Sequence, residues 1–86
     1  MEWEKINAVG MAQRKAEISL GVVLWLEVAR ARQMNELMEV HTTEEDKVII
    51  KEIEHLSKLI SEAKRFHEID KDAFIRAALD ADEENK

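Results

Sequence analysis

The sequence has no cysteine, no proline and only two glycines. Without cysteine there are no disulfide staples and no thiolate metal sites, and three histidines are too few for a zinc module built on nitrogen ligands alone. Scarcity of proline and glycine removes the usual helix breakers. Long apolar runs are also missing: the longest, residues 18–26, falls far short of the roughly 20 residues that span a bilayer. The opening Met1-Glu2-Trp3-Glu4 lacks the basic start of a secretory signal, so a cytoplasmic location is expected. No glycine-rich phosphate loop is present, and Ser19, Ser57 and Ser61 fall mid-helix without a nucleophile turn. Neither a catalytic residue nor a cofactor is expected.

What the chain does contain is 45% hydrophobic and 37% charged residues, the mixture of long helices. Its 86 residues fit one domain. A chain of this size buries only about 60% of the surface it exposes when unfolded, and with disulfides and metal excluded, oligomerisation is the remaining common source of stability. The net charge of −6 is uneven: residues 1–41 hold six acids and five bases, and residues 42–86 hold thirteen acids and eight bases. Such a surface suits neither duplex nucleic acid nor a membrane.

Hydrophobic periodicity predicts a first helix over about residues 3–39 that carries two apolar stripes. Leu20, Val23, Leu26, Met34, Leu37 and Met38 fall within one arc at about 100° per residue, while Met11, Ile18, Val22, Trp25 and Ala29 cluster nearly opposite. A second helix is expected over about 43–69, introduced by a capping box at Thr42 and Glu45, with a seam of Ile49, Ile53, Leu56, Ile60 and Ala63 at spacings of four and three. His67 follows on that seam as a half-buried residue. The Asp70-Lys71-Asp72 step offers a new cap but no obligate breaker, so a short third helix, separate from the second or continuing it, is placed at about 72–80, followed by a frayed acidic tail over 81–86. The expected fold is all-α: an antiparallel two-helix hairpin with a short third C-terminal helix, assembling into a homo-oligomeric helical bundle.

Charges occur where the first stripe should be buried. With a turn centred near His41, residue 27 stands level with 55 and residue 30 with 53, which gathers Glu27, Arg30, Glu52 and His55 into a buried polar cluster. The same residues admit a second reading. Glu52-x-x-His55 with Glu27 from the facing helix resembles the half-site of encapsulated ferritins, two-helix chains that dimerise into a bundle, and that resemblance implies a carboxylate-bridged di-iron centre.

The second stripe is the expected contact surface. Gly21 beside Trp25, with Ile18, Val22 and Ala29 along the row and Arg14 and Arg32 at its side, reads either as a helix–helix interface anchored by tryptophan or as a site where Trp25 stacks on a ring and a cation meets phosphate. The run Ala16-Glu17-Ile18-Ser19-Leu20-Gly21-Val22-Val23, followed after a turn by a second helix, resembles small all-helical phage proteins of the anti-CBASS sponge type. That resemblance implies an oligomer that sequesters cyclic oligonucleotides of bacterial anti-phage signalling without turnover. The expected function is therefore binding by a homo-oligomer, as an inhibitor, adaptor or sequestering protein of phage or mobile-element origin. Its partners are a second copy of itself and either a host protein or a small anionic nucleotide.

Overall fold

The computed structural model describes residues 2–84 and consists of two helices, α1 (Glu2–Leu37) and α2 (Thr43–Glu84), with no strand among the described residues. They form an antiparallel hairpin. The rod measures 65 × 15 × 14 Å, and its length is that of α2 alone, about 63 Å at 1.5 Å per residue. Its radius of gyration is 19.2 Å, against about 12 Å for a compact globule of this length. The apolar interior is therefore a seam between two helices, with no central core.

The turn forms where the sequence places it. α1 tightens at its end through bonds from the Met38 N–H to the Asn35 carbonyl and from the Glu39 N–H to the Glu36 carbonyl, both 3.1 Å, and the regular helix stops at Leu37. α2 starts on the expected cap: the Glu45 N–H donates to Thr42 Oγ1 at 3.2 Å, and the Asp46 N–H to the Thr42 carbonyl at 3.0 Å. Glu44, Glu45 and Asp46 then meet the positive end of the helix dipole.

Side-chain burial defines the seam. On α1, every described side chain that is buried or half-buried, apart from Glu27 and Ala29, lies on one row that begins Val9, Ala12, Ala16, Ser19 and continues through Val23, Leu26, Arg30 and Gln33 to Leu37. Its steps alternate three and four, the repeat of a coiled coil. α2 matches it with Ile49, Ile53, Leu56, Ile60 and Ala63, then His67, Asp70, Phe74, Ala77 and Ala81. Two cross-helix bonds fix the register, Ser19 with His67 at 3.0 Å and Arg30 with Ser57 at 3.5 Å. Residue 37 thus stands level with about residue 49, and the first turns of α2 project beyond the end of α1.

Four sequence expectations are corrected. No third helix separates at residues 72–80, because α2 runs unbroken to Glu84. Asp70 is itself a half-buried seam residue beside α1, and Phe74, Ala77 and Ala81 continue the seam against the N-terminal half of α1. The acidic stretch 81–84 is helical, while Asn85 and Lys86 of the expected frayed tail lie outside the described residues. The first stripe of α1 is only partly the seam: Val23 and Leu26 are buried and Leu37 half-buried, but Leu20, Met34 and Met38 are exposed, and the small residues Ala12, Ala16 and Ser19 face α2 in addition. The register is also displaced by about one helical turn, since residue 27 stands level with about residue 60 and not with 55.

The seam contains a polar layer at its middle. Ser19 Oγ lies 3.1 Å from the Ala16 carbonyl, to which it can donate, and 3.0 Å from His67 Nδ1, where the imidazole tautomer sets which partner donates. The pair fixes how the helices align. Ser19→Ala should leave the half-buried imidazole without its hydrogen-bond partner and cost about 1 kcal/mol in urea unfolding, and adding His67→Leu should return that loss.

Candidate interaction surface

Five hydrophobic side chains are buried among the described residues, and eighteen large ones are exposed. In a monomeric soluble domain large apolar side chains are scattered singly when exposed; here they are aligned. On one flank of the seam, Met11, Ile18 and Trp25 recur every seven residues along α1, with Val22 and Ala29 filling the row between them and the seam. Across the seam, α2 contributes Leu59 and Phe66 at the same spacing, with Ile69 outside them. Ile18, Val22, Leu26, Leu59 and Phe66 line a groove of about 500 Å³, with Lys15, Glu62 and Asp70 at its rim. Ile18 is 67% exposed, Trp25 71% and Phe66 57%.

The opposite flank differs in kind. There Glu27 pairs with Lys64 at 3.3 Å. Leu20, Leu24 and Val28 are also exposed on that side and on the back of α1, but α2 answers them with Ser57, Lys64 and Lys71, so the apolar strip is one helix wide. A smaller patch lies at the open end of the hairpin, where Ile6 and Val9 meet Ala78 and Ala81. Among the described residues, only the flank with Ile18 and Phe66 is apolar on both helices over several turns.

The expected residues divide accordingly. Ile18, Val22 and Trp25 share the apolar flank as exposed side chains, and Ala29 is half-buried on the same row. Arg14 and Arg32 are exposed on α1 but eighteen positions apart, about 27 Å along the axis, so one protomer cannot bring both to one small anion. Gly21 stands on the outer edge beside Trp25, and a Cβ built on it meets nothing within 4 Å. Nothing within the hairpin requires glycine there. Gly21→Ala should raise unfolding stability by about 1 kcal/mol through helix propensity alone, measured by thermal melts followed by circular dichroism.

The polar cluster does not assemble. Arg30 is a seam residue whose Nη1 donates to Ser57 Oγ, Glu27 turns to Lys64, and Glu52 and His55 are exposed on the flank that carries Leu59 and Phe66, beside Val48 and Lys51. The one-turn displacement of register places Glu52 about 12 Å along the axis from the level of Glu27. No group of three or more histidine, aspartate or glutamate side chains converges among the described residues, and the three positions of the di-iron resemblance are not brought together. The Ser19–His67 contact was missed by the sequence reading; the available signal was that both residues continue the three-four rows of their helices.

Fold and surface together define a long antiparallel coiled-coil hairpin with one flank apolar over several turns at its middle, and no described helix is long and apolar enough to cross a membrane. No family model, no curated protein and no solved structure matches the chain.

Proposed function

We propose that the protein is a homo-oligomeric helical binding protein without catalytic chemistry, whose assembly surface is the flank formed by Ile18, Val22, Trp25, Leu59 and Phe66. One observation carries this reading: both helices contribute large exposed apolar side chains to the same flank, beside a seam that buries only five hydrophobic residues. A hairpin so thinly packed gains stability by covering that flank with like surface. Sedimentation equilibrium between 1 and 100 µM tests the reading. A dimer or higher oligomer is expected, and a monomer across the range overturns it.

Sequestering a cyclic oligonucleotide remains within this class of function. The spacing of Arg14 and Arg32 then requires that the ligand meet only one of the two positions, between that cation and its copy in another protomer. A thermal shift that grows with cyclic di- or trinucleotide concentration and disappears in Arg14→Ala or Arg32→Ala supports that role, and no shift leaves a protein-interaction module.

A further inference from the structure

The apolar flank specifies which way round two copies meet. The strip on α1 runs from Met11 to Ala29 and is centred on residue 20, and the strip on α2 runs from Leu59 to Ala73 and is centred on residue 66. The register set by Ser19 and His67 brings residue 20 level with residue 66, so both strips form one block at a single height. Its exposed side chains amount to on the order of 800 Å², one side of a standard protein interface. A twofold axis in the interface plane can superpose this block on itself in two ways. With the axis parallel to the rod, the turns share one end and α1 lies on the partner's α2. With the axis perpendicular, the turns lie at opposite ends and like helices meet.

Charge separates the two. The α1 strip is flanked by two cations, Lys15 and Arg32, with the acid Glu36 beyond Ala29, and the α2 side of the flank by three acids, Glu52, Glu62 and Asp70, with the cation Arg76 beyond Ile69. When the turns share one end, Lys15 stands level with the partner's Asp70 and Arg32 with the partner's Glu52, each to within one turn, and Glu36, which also comes level with that Glu52, shares it with Arg32. When the turns are opposed, Glu62 stands level with the partner's Asp70 and Glu52 with the partner's Asp80, acid on acid, while Arg32 faces the partner's Ala8. Like charges set opposite one another at an interface reject a wrong arrangement more strongly than rim ion pairs reward a right one.

We propose that two hairpins pack through the Ile18–Phe66 flank with their turns at the same end, α1 of each protomer against α2 of its partner, as a four-helix bundle. This rests on the self-association proposed above. Because the chain has no cysteine, Val40→Cys places a single thiol on the fully exposed turn. A nitroxide attached there should give a pulsed dipolar distance of roughly 20–30 Å, about the width of such a bundle with its labels. A distance near 60 Å, twice the height of the turn above the block, overturns the arrangement and leaves the self-association standing. Absence of dipolar coupling together with a monomer in sedimentation overturns both. As a second readout, Arg32→Glu and Glu52→Arg should each weaken association several-fold, and the two combined should restore it. Failure of the combined variant to recover also counts against the shared-end arrangement.

Discussion

Trp25→Asp yields a monomer at concentrations where the unsubstituted protein is assembled, with association weakened roughly 30- to 1,000-fold, the span of a hot-spot residue worth 2–4 kcal/mol. In the hairpin Trp25 is 71% exposed and belongs to neither row of the seam, so its replacement removes no packing between α1 and α2. The loss falls on the flank, where a carboxylate takes the place of the largest apolar anchor and must be desolvated for copies to meet. Helicity should fall in part as well, because a free hairpin depends on a thin seam. Leu24→Asp is the control: Leu24 is equally apolar and lies on the far side of α1, where α2 offers no apolar counterpart, so it should leave association unchanged. Sedimentation velocity and far-ultraviolet circular dichroism on the two variants check both statements. Equal loss of assembly in the two would move the interface to the back of α1.

The hairpin itself is legible in the sequence because its signals are local. Thr42 with Glu45 marks the helix start, no proline or glycine interrupts either helix, and Ile49, Ile53, Leu56, Ile60 and Ala63 can be seen as a seam without any partner in view. α1 resists the same treatment. Over residues 18–29 it is apolar nearly all round, so angular clustering cannot say which side meets α2, and the side that does includes Ser19, Arg30 and the small Ala16. Asp70-Lys71-Asp72 misleads for a related reason. An aspartate before an apolar group has the composition of a cap, but a half-buried aspartate on a seam has the same composition, and only the presence of α1 alongside decides between them.

Register is the property that sequence carries least well, and the candidate site depends on it. An error of one helical turn gathers Glu27, Arg30, Glu52 and His55 on paper, whereas the contacts of Ser19 with His67 and of Arg30 with Ser57 send Glu27 to Lys64 and leave Glu52 and His55 across the seam, on the flank of Leu59 and Phe66. The contact surface survives such an error, because it follows from which residues share a helix row and not from what lies across from them. Met11, Ile18, Val22 and Trp25 remain neighbours under any register. Their counterparts Leu59 and Phe66 do not follow from the row alone and become visible only once the helices are aligned.

Ile60→Ala lowers stability by about 3 kcal/mol and the thermal midpoint by roughly 12–24 °C. Ile60 is the most buried side chain of the seam, 2% exposed, and sits in the same segment as Val23 and Leu26, so truncation opens a cavity among most of the large buried residues the hairpin has. Phe66, 57% exposed on the flank, contrasts with it. In a protein whose folding is coupled to assembly, the midpoint rises with protein concentration because association draws on the folded state. Ile60→Ala should shift the whole dependence downward without changing its slope over concentrations where the variant still assembles, since it weakens the hairpin before any second copy arrives. Phe66→Ala should flatten the dependence and leave the dilute midpoint close to that of the parent, since its side chain is covered only in the assembly. Thermal melts of both variants across a hundredfold range of concentration separate the two. If Phe66→Ala lowers the dilute midpoint as much as Ile60→Ala does, Phe66 packs within the hairpin and the flank is not the surface on which copies meet.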